Sequence, residues 1–244
     1  AAYKHVPLME GEPDEAVKNN IFGTENLAQA CIASGVEKFI FISTDKAVNP
    51  SSVMGATKRI GEMILLNFNK ENKTKFISVR FGNVLDSRGS VIPIFREQIK
   101  KGGPLTVTDP GMERFFMLNR EACLLVMQAG FLGHGGEVFV LDMGRPVKIL
   151  DLARDMIKLS GFLPDRDIAI TFTGKRPGEK LFEEILTAEE GTVVTSHRKI
   201  FMAKLSDIDP HKLNEGISEL KNTVLKSGNE EIIKILKRIT PYYK

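Results

Sequence analysis

Within one short stretch, Ser43-Thr44-Asp45-Lys46, the chain sets two hydroxyls, a carboxylate and an ammonium side by side. A carboxylate accepts a proton, a hydroxyl passes one on, and a lysine whose charge is suppressed acts as a base. The quartet therefore has the parts for general acid–base chemistry. Taken alone, the same string also describes a solvated turn, with Thr44 as its cap and Asp45 and Lys46 as a surface pair. Its position narrows the choice. It follows at once on the apolar, β-rich run KFIFI, and open α/β sheets bind ligands beyond the carboxyl ends of such strands. Further along, Met54 and Lys58 stand at helical spacing and share one face; in isolation that pair describes a core methionine and a surface lysine. After the next apolar run, Phe81-Gly82-Asn83-Val84 gives a second loop at the same end of the sheet.

The elements that must position these groups follow from hydrophobic periodicity. Apolar residues at helical spacing from Pro13 to Ser34, closed by Gly35, predict a long helix. Lys38–Ser43 predicts a buried strand, Met54–Lys70 a second helix and Phe76–Phe81 another buried strand, the alternation of a doubly wound parallel sheet. Shorter elements follow: helices at 91–101, 120–130 and 149–160, and strands at 104–108, 137–142 and 168–173. Two tail helices begin after Asp209 and at Asn229, the second closed by Pro241. The fold class is α/β, Rossmann-like, with residues 1–84 as the C-terminal half of a dinucleotide-binding domain carrying the catalytic loop. Residues 85–244 form mainly a smaller substrate-binding lobe, with some elements returning to the sheet.

Composition excludes several function classes. The chain has 34 Lys and Arg against 31 Asp and Glu, a net charge of +3 with no basic block, which argues against nucleic acid as a partner. Cys31 and Cys123 lack the paired spacing of a zinc site and fit a reducing compartment, so a cytoplasmic location is expected. No apolar run approaches the length of a membrane span, so no membrane contact is expected within this chain. His5, His134, His197 and His211 are scattered singly, and no catalytic metal is expected.

Five ordered motifs, STDKAVNPSSVMGATKR, SVRFGNVLDSRGSVIPIF, RFFML, GEVFVLDMGRPVKILDLA and FTGKRPGEKLFEEIL, resemble the CapD-like polysaccharide biosynthesis family of extended short-chain dehydrogenases, of the UDP-N-acetylglucosamine 4,6-dehydratase type. The resemblance implies NAD or NADP as cofactor and a UDP-sugar as substrate. Hydride leaves sugar carbon 4, water is lost across carbons 5 and 6, and hydride returns to carbon 6. By position, Thr44, Asp45 and Lys46 match the family's catalytic trio, and Met54 with Lys58 its Tyr/Lys pair. A thioether cannot carry a proton at neutral pH, so Asp45, with Thr44 as relay, is assigned to the 4-hydroxyl and, as acid, to the 6-hydroxyl. Lys46 is assigned to carbon 5, which requires its pKa to fall by roughly 3 units through burial and the nearby Lys58. Met54 also resembles the configuration-retaining branch. Cofactor contacts are expected at Ala2, Ser43, Lys58, Phe81 and Asn83. Substrate contacts are expected at Lys4, Asn83, Arg88, Arg114, Arg176 and Glu179, the arginines suited to a pyrophosphate by their rigid forked donors.

The sequence departs from the family pattern in places. Asp86 stands where Gly is usual and Arg145 where an acidic residue is common. The G-x-G-x-x-G turn of such domains is absent, and Gly133-His134-Gly135-Gly136 is no substitute because it precedes a strand instead of following one. With its opening on AAYKHVP, the chain is expected to be an N-terminally truncated fragment; long members of the family it resembles carry a membrane segment, and anchoring of the complete form at the inner face of the cell membrane is left open. Homo-oligomer formation is left open. The competing readings are a nucleotide-sugar 4-epimerase of the same fold and a non-catalytic sugar-nucleotide-binding fragment.

Overall fold

The first helix, α1, spans Val6–Gly11, with Pro7 in its first turn where no amide hydrogen is needed. The computed structural model describes residues 2–70, 73–185, 191–204, 208–226, 228–240 and 242–243. Ala1, Leu186 and Pro241 of the sequence reading lie outside the described residues. The expected long helix forms, but not uniformly. α2 (Pro13–Ala16) runs through a π-helical turn at Val17–Phe22 into α3 (Gly23–Ala33). Asn20 lies in that turn, 1% exposed. Its side chain accepts from the Tyr3 amide and donates to the Tyr3 carbonyl and to Thr57 Oγ1, which ties the first residues to the helix under the site. Inserted turns of this kind are frequent at functional sites.

The strands β1 (Lys38–Ile42) and β2 (Lys75–Arg80) pair in parallel, Lys38 opposite Lys75 and Ile42 opposite Val79. Between them runs α4 (Val53–Asn69), buried along most of its length, with the Ser52 hydroxyl accepting from the Gly55 amide as N-cap. The chain continues through β3 (Asn83–Val84), α5 (Val91–Lys100), β4 (Leu105–Val107), β5 (Glu113–Arg114), β6 (Phe116–Met117) and α6 (Asn119–Leu132). Then come β7 (Val138–Leu141), β8 (Val147–Lys148), α7 (Ile149–Leu159), β9 (Ile170–Phe172), β10 (Thr192–Val194) and β11 (Ile200–Ala203). The tail forms α8 (Pro210–Thr223) and α9 (Asn229–Ile239).

The main sheet has the order β1-β2-β7-β11-β10, with β1, β2 and β7 parallel and the last two strands antiparallel. The strands β10 and β11 had no counterpart in the sequence reading, because runs of three or four residues carry too little periodicity to register. Elements after residue 84 divide their allegiance. α6, β7, β10 and β11 belong to the sheet layer, and α8 and α9 pack on α4 in one apolar cluster with Met54, Ile60 and Ile64. By contrast α5, β4, α7 and β9 enclose a separate core around Phe95, Leu105 and Ile157, with β4 and β9 parallel. No helix among the described residues is long and apolar enough to cross a membrane.

Candidate active site

β1 is satisfied by backbone pairing as far as Ser43, whose amide donates to the Val79 carbonyl, and the chain then turns sharply. Thr44, in extended conformation, caps the single 3₁₀ turn Asp45–Ala47, its hydroxyl accepting from the Lys46 amide. The turn is locked from two sides. The Asp45 amide donates to the Phe81 carbonyl beyond β2, and α4 approaches so closely that a Cβ on Gly55 would sit 2.2 Å from the Lys46 carbonyl oxygen. Gly55→Ala is therefore expected to push the turn off the helix and destabilise the protein by about 1–3 kcal/mol, read by denaturant unfolding. An alanine variant as stable as the parent would show that the turn is not held this way.

The side chains converge. Asp45 is 1% exposed, and its Oδ1 accepts from Thr44 Oγ1 at 2.8 Å and from Lys46 Nζ at 2.9 Å. Its Oδ2 has no hydrogen-bond partner among the described residues and faces Gly82, where a Cβ would come within 2.9 Å. Lys46 Nζ also reaches Asn83 Oδ1 at 3.4 Å and Glu183 Oε1 at 3.6 Å, and Arg114 Nε lies 3.7 Å from the same Glu183 oxygen. Burial works to lower the Lys46 pKa, but the carboxylates of Asp45 and Glu183 outweigh it, and the pKa lies above the ordinary lysine value. This corrects the expected fall: the free site holds Lys46 as an ammonium, because two acids face it and Lys58 does not.

Lys58 sits elsewhere on the wall, its Nζ 3.7 Å from the centroid of the Phe41 ring. Burial pushes its pKa down to about 8, only partly countered by Glu62. Met54 is 4% exposed and joins the core under the site. The Ser43 hydroxyl is committed to Glu62, which is also bound by Arg80 and Arg59 in a buried cluster behind the strand ends. Burial alone would raise the Glu62 pKa, yet Arg80 and Arg59 bring it down to about 2.

A cavity of about 870 Å³ opens above these groups, a volume suited to a nucleotide-sized ligand. Of the residues expected at the site, Ala2, Lys4, Ser43, Thr44, Lys46, Met54, Lys58, Phe81, Asn83, Arg114 and Glu179 line it. Asp45 lies beneath the floor and reaches the cavity through Thr44 and Lys46. Arg88 is exposed and outside the lining, and Arg176, its side chain 56% exposed, pairs with Glu179 at 3.1 Å and is also outside it. The structure does not bring those two arginines to the cavity wall. Lys4 Nζ donates to Ser87 Oγ at its rim. Sequence reasoning missed Asn20, Glu62 and Glu183. The signal for Glu62 was Arg80, a charge inside a strand buried on both faces; Glu183 stood unremarked in the same motif as Glu179. Among the described residues no group of three or more His, Cys, Asp or Glu side chains is placed to hold a metal ion.

Comparison with known protein families matches residues 1–205 to the family described as Polysaccharide biosynthesis protein. The chain belongs to this polysaccharide biosynthesis family. It is 59% identical over 209 residues to the probable polysaccharide biosynthesis protein EpsC of Bacillus subtilis, covering 86% of this chain and 35% of that protein. It is 54% identical over 239 residues to the capsular polysaccharide biosynthesis protein CapD of Staphylococcus aureus, covering 98% and 39%. The chain thus spans little more than a third of the length of these two relatives. A UDP-glucose 4-epimerase of Rickettsia bellii is 40% identical over 78% of the chain and 55% of that protein. Among solved structures, Pen from Bacillus thuringiensis superposes with a TM-score of 0.77 at 40% identity, covering 83% of this chain and 64% of that one. A Thermus thermophilus UDP-glucose 4-epimerase in complex with NAD superposes with a TM-score of 0.68 at 24% identity over 77% of this chain and 67% of that one, which shows a shared fold. This member of the polysaccharide biosynthesis family therefore has the Rossmann-like α/β fold of the short-chain dehydrogenases.

Proposed function

We propose that the chain is the catalytic portion of a nucleotide-sugar 4,6-dehydratase acting on UDP-N-acetylglucosamine or a similar UDP-sugar for surface polysaccharide synthesis. The observation that carries the reading is the Thr44–Asp45–Lys46 cluster at the floor of the cavity, joined through the buried Asp45, with Met54 at the position that matches the family's Tyr. Epimerisation needs a proton acceptor at one hydroxyl only, whereas loss of water needs further groups for carbon 5 and the 6-hydroxyl. The cluster holds more proton-transfer groups than an epimerase requires.

The strand-end wall suits the reactive end of NAD(P): it is largely apolar, with Phe41 and Phe81, and carries Lys58, whose pKa burial lowers to about 8. Lys58, Phe81, Asn83 and Ala2 would hold that end, while Ser43 would support it from behind. NAD(P), when bound, supplies the acceptor and later the donor of hydride. Thr44 Oγ1 then relays the 4-hydroxyl proton to Asp45, and Asp45 returns it toward the 6-hydroxyl. Lys46 serves carbon 5. Arg114, 8% exposed and anchored by the Glu113 and Leu181 carbonyls, would face the UDP phosphates, with Lys4 and Glu179 at the rim. The lobe of α5, β4, α7 and β9 would close on the sugar side, and Met54 favours retention at carbon 5.

The Rickettsia relative named UDP-glucose 4-epimerase supports the second reading, a 4-epimerase. Incubating a complete protein that contains this chain with UDP-N-acetylglucosamine separates the two. A product lighter than the substrate by one water is expected; a product of unchanged mass with inverted carbon 4 would establish the epimerase instead.

A further inference from the structure

Proton balance around the proposed dehydration, on which this inference rests, leaves the Asp45–Lys46 pair short of one holding site. In the free site Asp45 is a carboxylate and Lys46 an ammonium, 2.9 Å apart. Taking the 4-hydroxyl proton fills Asp45. Lys46 can take the carbon 5 proton only after losing the one it carries, and neither a threonine hydroxyl nor an asparagine amide holds an additional proton at neutral pH. The groups that face Lys46 Nζ are Asp45 from its own turn, Asn83 from the loop after β2, and Glu183 from the segment after Gly178, with Arg114 of β5 behind Glu183. Glu183 alone among them is a further acid. Its side chain is 3% exposed and lines the same cavity, and its Oε2 has no hydrogen-bond partner among the described residues. A buried carboxylate oxygen left without a partner is costly and calls for an explanation.

We propose that Glu183 acts through Lys46: it holds the ammonium in the free site, takes its proton when carbon 5 is attacked, and returns it at the end of the cycle. The balance then closes. Asp45 accepts the 4-hydroxyl proton through Thr44 as hydride leaves carbon 4 for NAD(P). Their ion pair, 3.6 Å in the free site, tightens to hydrogen-bond length when substrate is bound, and Lys46 passes its proton to Glu183 and becomes a neutral amine. The carbon 5–hydrogen bond breaks, its proton going to Lys46 and its electron pair forming the carbon 5–carbon 6 double bond. The carbon 6–oxygen bond breaks, and the oxygen departs as water with the proton held by Asp45. Hydride returns to carbon 6, Lys46 gives its proton to carbon 5, and Glu183 gives its own back to Lys46. Every group ends as it began, one water lighter in substrate. A ligand filling the cavity removes water from both groups, and in that bound state a neutral amine and acid avoid two desolvated charges. Glu183 is thus a positioning residue, setting the charge of the group that meets the sugar.

The test uses a complete protein containing this chain. Competitive acetylation of Lys46 with acetic anhydride, read by mass spectrometry across pH without substrate, gives the titration of its amine. Glu183→Gln is expected to lower that midpoint by about one unit or more and to cut kcat by about tenfold or more, with KM for the UDP-sugar little changed. Glu183→Asp restores part of both and serves as the readout if the glutamine variant does not fold. An unchanged midpoint, or unchanged turnover and pH profile, in a parent that does release water overturns the role of Glu183 alone. A parent that titrates as expected but releases no water from any UDP-sugar overturns the dehydratase reading, and with it the proton-taking step.

Discussion

Asp45→Asn in a complete protein is expected to lower turnover by about 10²–10⁴-fold, the range lost when a positioned acid–base group is removed. The substitution keeps the side chain's volume, and an amide oxygen still accepts from Thr44 Oγ1 and Lys46 Nζ, the two donors on Asp45 Oδ1. The fold should therefore persist, with circular dichroism and the unfolding midpoint close to the parent. What is lost is the capacity to take the 4-hydroxyl proton, since the site offers the Met54 thioether where a phenol would otherwise stand. The defect should fall on kcat and leave KM for the UDP-sugar little moved, because Asp45 lies beneath the cavity floor. Steady-state kinetics with product detection by mass decide it. An Asp45→Asn protein with full turnover removes Asp45 from the chemistry.

The largest effect on stability is expected at Glu62, which faces the site only from behind. Its carboxylate is 1% exposed, receives two hydrogen bonds from Arg80, one from Arg59 and one from Ser43, and so neutralises charge inside the sheet–helix interface. Glu62→Ala leaves Arg80, itself 1% exposed, as a buried cation and is expected to cost about 3–5 kcal/mol, measured by denaturant unfolding. The same carboxylate gives a pH signature. Its pKa is depressed in the fold from 4.5 to about 2, so its contribution is complete above the unfolded value and is lost as pH falls through the folded one. Stability should decline from about pH 4.5 toward pH 2, and Glu62→Gln should flatten that part of the profile. A glutamine variant with the parent's acid limb would show that other carboxylates set it.

Much of the layout was legible because period and sequence neighbourhood carry it. The KFIFI and FISVR runs were short and β-rich and became adjacent parallel strands, and the helical pattern that follows the quartet became the helix between them. The quartet at Ser43 to Lys46 fell at the strand end because a buried strand must stop where polar side chains begin. Other features were illegible for physical reasons. The π-helical turn that buries Asn20 shifts a helix by one residue without altering its composition. The packing of α8 and α9 on α4 depends on which apolar faces meet across some 150 residues of sequence.

The chemical types available, the strand-end position of Thr44, Asp45 and Lys46, the methionine at residue 54 and the family were fixed by local sequence and ordered motifs. The protonation state of Lys46 was not. It depends on Coulomb interaction over a few ångströms, and of the two carboxylates that raise it, Asp45 is the neighbour in sequence while Glu183 lies 137 residues away in the chain, at 3.6 Å in space. Tertiary structure likewise separated Arg114, which reaches the cavity, from Arg88 and Arg176, which do not. Sequence names the charges, but only the folded chain decides which of them stand close enough, and dry enough, to govern one another.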